Sequence, residues 1–306
     1  MRDALPTMRV LVPDDPERRE LEPLPGGVEL GVIGRPGLRL DDVELLVASP
    51  EVEGLGELLG RLPELRVVQA VSAGVDWLLP LVPDGVTLCD AAGVHDIPVA
   101  EWVLGAILAS LRRFPESRDF QREHRAPPPT QAELAGRRIL ILGYGSIGRA
   151  VETRLSGFEV EVVRVAHRAR EGVHTTEELP ELLPGADIVV ILLPLTDATE
   201  RIIDAVLLAR LPDGALVVNA GRGGVVDQDA LLAELESGRL RAALDVTDPE
   251  PLPPEHPLWR APGTLITPHV AGDSPSFPTR AYRLVRDQIT RYAAGEPLLN
   301  VVEDGY

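Results

Sequence analysis

The 306-residue chain contains no lysine: all thirty of its basic residues are arginine. That absence removes whole chemistries, because there can be no Schiff-base lysine, no P-loop lysine on a phosphate and no lysine acting as general acid or base. An arginine-only set is also what a codon bias toward arginine would leave, and the exclusion holds for either origin. Cysteine is nearly absent as well. Cys89 stands alone, so neither an intrachain disulfide nor a cysteine-based zinc site is available, and core packing is its expected role. No apolar run reaches the ~20 residues of a membrane-spanning helix. The N-terminus has no basic-then-apolar export pattern, so the cytoplasm is the expected location. There is no surplus of positive charge either. A net charge of −18 argues against nucleic acid or an anionic membrane as partner, since both select a basic footprint, although a local arginine cluster can still hold a small anion. His95, His124, His167, His174 and His256 show no H-E-x-x-H or other metal-ligand spacing, and no metal is expected. Internal repeats and low-complexity tracts are missing too.

What is present begins with length. A chain of 306 residues, 44% hydrophobic and 25% charged, suffices for two domains with real cores. The stretch that organises it is RILILGYGSIG, residues 138–148. Apolar Ile139–Leu142 reads as a strand that breaks into Gly143, Gly145 and Gly148 before a helix over 149–155, and Val160–Val165 supplies the next strand. A strand feeding a glycine turn and a helix aims unpaired N–H groups and a positive dipole end at one point, where a pyrophosphate can sit. The first glycine makes the turn, the second lets backbone approach the phosphates, and the third lets the helix lie close on the strand. By spacing alone such a motif arises by chance in a chain with 28 glycines; the βαβ context is what strengthens it. Without lysine, the short-chain reductases with a tyrosine–lysine pair and the β-hydroxyacid dehydrogenases with a catalytic lysine are disfavoured.

Before the glycine turn, β-branched runs at Met8–Val12, Val28–Val32, Val43–Val47, Arg66–Val71 and Val86–Leu88 alternate with connections, as in a small parallel α/β domain. Met8 is a second candidate start, because residues 1–7 carry no pattern and are expected to fray. VSAGVD (71–76) is either an ordinary βα turn or a small-residue nest whose N–H groups suit a carboxylate. Residues 97–113 predict a helix that is apolar on more than one face, fit to link domains or to lie in a subunit interface. Polar 114–133, with Pro127, Pro128 and Pro129, predicts a connection that is neither regular helix nor central strand. Further strands are expected at Ala186–Leu193, Gly214–Asn219, Arg241–Val246 and Thr264–Thr267, each ending in polar or turn residues. In an open parallel sheet these endings gather at one crevice. The segment 280–294 predicts an amphipathic helix that packs back on the first domain.

Three strand ends carry chemistry. Arg222, Glu250 and His269 each follow a predicted strand and sit among small or turn-forming residues. Hydride transfer to a keto acid needs a fixed cation on the carboxylate and a proton donor near neutral pH. Arginine supplies the fork and histidine the donor, while a carboxylate paired with the imidazole orients it and favours its protonated form. Taken singly, each residue is as well read as a surface charge, a solvated loop residue or a turn histidine; the joint placement is what assigns roles.

The segments GYGSIGRAV, LLPLTDAT, VNAGRGGVVD, ALDVTDPEPLPPEHPLW and TPHVAG, in this order, resemble the D-isomer-specific 2-hydroxyacid dehydrogenase family, and SAGVD and VAEW match its substrate domain. The resemblance implies a Rossmann-type doubly wound parallel cofactor domain (99–272) and a smaller flavodoxin-like α/β substrate domain (1–98 with 273–306), in a homodimer built on the cofactor domain. It implies that Arg222, Glu250 and His269 are catalytic and that Ser72, Ala73, Gly74 and Val75, with Arg222, bind the substrate. Its cofactor contacts fall on Gly143, Tyr144, Gly145, Ser146, Ile147 and Gly148, on His167, Arg168 and Arg170, on Leu193, Pro194 and Thr199, on Ala220, Gly221 and Arg222, and on Asp245, His269, Ala271 and Gly272. Asp245 would lie near the nicotinamide carboxamide and His167 near the adenosine.

Several positions depart from the family pattern. Members using NAD usually carry an aspartate after the second strand, on the ribose 2′-OH. Here Val165–Arg170 offers no carboxylate, and Arg168 and Arg170, unless they form only a solvated turn, suit a 2′-phosphate, so NADP(H) is expected over NAD(H). Ala70 and Val71 replace the arginine that phosphoglycerate dehydrogenases place before the SAGVD-like loop, and the chain has no regulatory tail, so a phosphorylated substrate is not expected. Thr247 replaces a usual aromatic, and a tryptophan common near 122–125 is missing. The expected activity is reduction of a small 2-oxo acid to the D-2-hydroxy acid. The alternatives are a non-enzymatic NAD(P) sensor like the corepressors that share the fold, or formate- or phosphite-type oxidation.

Overall fold

The computed structural model describes residues 8–13, 21–126 and 131–303. The expectations placed on residues 1–7 and on Pro127, Pro128 and Pro129 fall outside them. The chain divides into two compact units, Met1–His95 with Ser274–Tyr306, and Asp96–Asp273.

In the first unit, β1 (Met8–Val12), β2 (Val28–Val32), β3 (Val43–Ala48), β4 (Val67–Ala70) and β5 (Thr87–Cys89) form a parallel sheet in the order β2-β1-β3-β4-β5, the flavodoxin-like order. Alternate residues enter opposite cores. Val10, Val12, Leu45 and Val47 pack on one face with Ala281, Tyr282, Val285 and Ile289 of the C-terminal helix Phe277–Ala294, while Leu11, Leu46, Val68 and Ala70 fill the other. Burial of both faces is why these strands read as near-continuous apolar runs. The helix starts earlier than 280 because Pro278 lies in its first turn, where no N–H partner is needed. Gln288 of this helix is fully buried; its amide donates to Gln69 Oε1 and Leu299 O, both at 2.8 Å, and its Oε1 accepts from Leu299 N at 2.8 Å. Cys89 lies in the same core, and burial pushes its thiol up to about 12.

In the second unit, β6 (Arg138–Leu142), β7 (Glu161–Val165), β8 (Ile188–Ile191), β9 (Leu216–Asn219), β10 (Arg241–Leu244) and β11 (Thr264–Ile266) are all parallel, in the order β11-β10-β9-β8-β6-β7. Leu140, Leu142, Val189 and Val217 face one core. Ile139, Ile141, Val190 and Val218 face the other, which is closed by the helices Asp96–Leu111 and Ser146–Leu155 through Val103, Ile107, Val151 and Leu155. This is a doubly wound Rossmann-type sheet with β6 and β8 at the switch point, where the strand order reverses.

One expectation is corrected. Phe114–Arg122, read as irregular connection, is an α-helix. Pro115 occupies its first turn, where the ring displaces no hydrogen bond, and Glu116 and Arg122 suit the two ends of the dipole. The helix buries none of its residues, so it has no apolar stripe to reveal it. Among the described residues no helix is long and apolar enough to cross a membrane.

Candidate active site

Because the second sheet is wholly parallel, the loops leaving β6 to β11 share its carboxyl edge, and every polar strand ending singled out above lies there. At the switch point the glycine turn leaves β6 and abuts the end of β8. Gly143 has φ +98°, and a Cβ on it would lie 2.7 Å from the backbone of Leu192, so only glycine fits. A Cβ on Gly148 would meet Gly143 O at 3.0 Å, which is the close seating of helix on strand, whereas one on Gly145 would meet nothing within 4 Å. Gly145 is the N-cap of the helix Ser146–Leu155, and no side chain caps it. An open face over uncapped N–H groups, at a switch point, fits the diphosphate of a dinucleotide.

The turn is tied to the end of β7. Gly143 N and Tyr144 N both donate to Val165 O at 2.9 Å. The Tyr144 hydroxyl donates to Glu152, which is gripped by both sides of the Arg164 guanidinium, Nε–Oε2 at 2.9 Å. This pairing holds the Glu152 carboxyl below its usual range, and burial raises the Tyr144 phenol. His167, Arg168 and Arg170 follow on an exposed loop. Of these, Arg170 donates to the Tyr144 carbonyl and lies over the Tyr144 ring at 5.8 Å, and Arg164 lies over the same ring at 5.6 Å.

After β8, Leu193 is buried, and the Thr199 hydroxyl closes the loop by donating to Pro194 O at 2.6 Å and accepting from Thr196 N at 2.8 Å. After β9, buried Asn219 shapes the turn of Ala220, Gly221 and Arg222: its Oδ1 accepts from Gly221 N at 3.1 Å and its Nδ2 donates to Arg222 O at 3.0 Å. Arg222 Nη1 donates to Gly221 O at 2.9 Å.

The endings of β10 and β11 meet directly. His269 Nδ1 lies 2.5 Å from Glu250 Oε1. A carboxylate can only accept, so Nδ1 carries the proton and Nε2, on a ring 49% exposed, is left to exchange one. Asp245 is buried behind this pair, and its carboxylate is taken up by the His269 loop: it accepts from Thr267 Oγ1 at 2.5 Å, Val270 N at 2.9 Å and Ala271 N at 2.8 Å. His269 N donates to Asp245 O at 2.8 Å. Trp102 Nε1 steadies Thr267 from the helix at 3.0 Å. VAEW (99–102), a match to the family's substrate domain by resemblance although it falls inside the expected 99–272 span, lies in the second unit. Gln228 bonds the Asp248 backbone twice, at 2.5 and 2.9 Å, and so sets the loop to Glu250. Sequence reasoning missed Asn219, Gln228, Thr267, Glu152 and Arg164; the one local signal was polar residues beside strand ends. Among the described residues there is no group of three His, Cys, Asp or Glu able to hold a metal ion.

In the first unit, Ser72, Ala73, Gly74 and Val75 form the turn after β4. The Ser72 hydroxyl donates to Gly74 O at 2.9 Å, Trp77 Nε1 reaches Gly74 O at 3.2 Å, and Ala91 N donates to Ser72 O at 3.0 Å.

Residues 104–271 match the profile of the D-isomer specific 2-hydroxyacid dehydrogenase NAD binding domain. The chain belongs to the D-isomer specific 2-hydroxyacid dehydrogenases. A glyoxylate/hydroxypyruvate reductase A from Salmonella newport is 34% identical over 272 residues, 84% of this chain and 85% of that protein. The crystal structure of a family member from Xanthobacter autotrophicus Py2, in complex with NADPH and MES, superposes with a TM-score of 0.84 at 32% identity, covering 98% of each chain. An NADPH-dependent glyoxylate/hydroxypyruvate reductase from Sinorhizobium meliloti, in complex with NADP and sulfate, gives a TM-score of 0.83 at 31% identity, again covering 98% of each chain. As a 2-hydroxyacid dehydrogenase this chain is an enzyme that uses a nicotinamide cofactor.

Proposed function

We propose that the chain reduces a small 2-oxo acid of the glyoxylate or hydroxypyruvate class to the D-2-hydroxy acid, with NADPH as the preferred donor. The observation that carries this is the His269–Glu250 pair at 2.5 Å on the same sheet edge as Arg222 and the glycine turn. Arg222 holds the substrate carboxylate and polarises its carbonyl. Protonated His269 gives the Nε2 proton to the carbonyl oxygen as it becomes an alkoxide, and takes it back in oxidation. Glu250 balances the imidazolium and fixes its tautomer, and Asp245 holds the loop that presents it. The bound nicotinamide supplies the hydride.

Gly143–Gly148 would carry the diphosphate, with Leu193–Pro194, Thr199, Ala220–Arg222 and His269–Gly272 at the neighbouring strand ends. Support for NADP(H) comes from the carboxylate-free Val165–Arg170 segment with its arginines, and from the relatives bound to NADPH and NADP. The relatives, named as reductases, do not favour the corepressor or formate- and phosphite-oxidising readings. A homodimer built on the second unit and a cytoplasmic location belong to the same reading and rest on the family resemblance.

Loss of NADPH absorbance over a panel of 2-oxo acids tests the assignment, with turnover of glyoxylate or hydroxypyruvate expected and slower rates from NADH at equal low concentration. Tight cofactor binding without turnover of any keto acid would restore the sensor reading.

A further inference from the structure

The resemblance placed His167, Arg168 and Arg170 together at the cofactor, and the structure ties one of them, Arg170, to the glycine turn. The loop from Ala166 to Val173 is anchored at its base, where Ala166 N donates to His174 O at 3.0 Å and His174 N to Arg164 O at 2.9 Å. Val173 N donates to Arg170 O at 2.9 Å. Its other anchor is the Arg170 side chain, which donates to the Tyr144 carbonyl in the middle of the glycine turn and covers the Tyr144 ring. Tyr144 is itself immobilised, since Glu152 takes its hydroxyl and Arg164 takes Glu152. The turn and the loop are thus bonded in both directions: the turn's N–H groups reach Val165 O, and Arg170 returns to the turn's carbonyl. A charge-assisted bond to a carbonyl is among the stronger links available to an exposed loop, and it also offsets a partial negative charge beside a site meant for phosphates.

We propose that Arg170 is a positioning residue: braced on Tyr144, it holds the 166–173 loop against the glycine turn and is spent there rather than on a 2′-phosphate. This rests on the NADP(H) reading for the 2′-phosphate, but the brace itself does not.

The test is calorimetric titration of the full-length, ligand-free enzyme with NADPH, NADH and 2′,5′-ADP, together with hydrogen exchange of the 164–174 backbone, for Arg170→Met and Arg168→Met. Arg170→Met is expected to weaken NADPH and NADH alike, by about tenfold for one lost charge-assisted bond. Exchange in 164–174 should rise, and cofactor KM should increase with kcat within about twofold. Arg168→Met is expected to weaken NADPH and 2′,5′-ADP by about tenfold or more, with NADH and loop exchange unchanged. If Arg170→Met weakened only NADPH and 2′,5′-ADP and left loop exchange alone, Arg170 would be the phosphate ligand and the proposal would be wrong. Should Arg170→Met not fold, Arg170→Lys is judged by the same contrast of common against NADPH-only loss. Equal wild-type affinity for NADPH and NADH, with Arg168→Met silent, would sink the NADP(H) reading, and the brace would still be decided by Arg170→Met.

Discussion

His269 holds φ at +53°, in the left-handed region that a bulky side chain seldom enters. Asp245 keeps it there by bonding the loop on both sides. An imidazole fixed in this way can exchange a proton without reorganising. Replacing it by alanine is expected to lower kcat by ~10²-fold or more, within the usual range for a general acid, while cofactor affinity stays near normal. Arg222→Lys should be similarly damaging, because an ammonium cannot reproduce the planar fork. Near-normal steady-state kinetics in both variants would remove the assignment. Asp90 supplies a contrasting case. Burial raises its carboxyl, although Ala92 N donates to it at 2.8 Å. Its folded pKa is therefore above the unfolded one, so its contribution to stability is complete below the ordinary value of about 4 and is lost as pH rises through the raised value. Asp90→Asn, which keeps the acceptor, should melt above wild type at neutral pH and converge with it in acid.

Between elements, close approach matters more than any single bond. A Cβ on Gly223 would lie 2.0 Å from Thr247 O, so the turn that carries Arg222 and the turn that leads to Glu250 touch backbone to backbone. Gly223→Ala must push them apart, at a cost of about 1–3 kcal/mol by urea unfolding and with a fall in kcat; a variant stable and active as wild type would show that the contact is slack. In the first unit the Gln288 amide plays the joining part, linking the C-terminal helix to Gln69 on β4 and to Leu299. Gln288→Leu leaves Gln69 Oε1 and the Leu299 backbone unpaired and should cost about 1–3 kcal/mol, read by the same denaturation. The strands were legible in the sequence because both faces are buried, which writes a plain apolar run into each. The helix Phe114–Arg122 was not, since a helix that buries nothing leaves no periodic stripe, and the neighbouring prolines argued for a break.

Taken as a whole, the molecule carries −18 at neutral pH, and this self-repulsion opposes compaction. Added salt shortens the screening length from about 30 Å at 0.01 M to about 10 Å at 0.1 M, so Tm is expected to rise with ionic strength. If the exposed arginines of the loop after β7 attract the cofactor phosphates, as proposed, NADPH affinity should fall over the same range, since that attraction is screened by the same salt. Differential scanning calorimetry and titration at two salt concentrations check the pair of opposite trends. Parallel trends would mean that local arginines do not govern cofactor binding.

The amino-acid order was enough to show two α/β units, the glycine turn after β6 and the succession of arginine, glutamate and histidine after β9, β10 and β11. These are local facts, written as apolar runs that end in polar or small residues. Partnership was not written there. That Asp245 spends its carboxylate on the His269 loop, that Arg170 is committed to Tyr144, and that Gln69 meets Gln288 across 219 positions all depend on strand register and on how separate loops converge at one sheet edge. Such distances are set by packing of the assembled layers, and no pattern of neighbours along the chain encodes them.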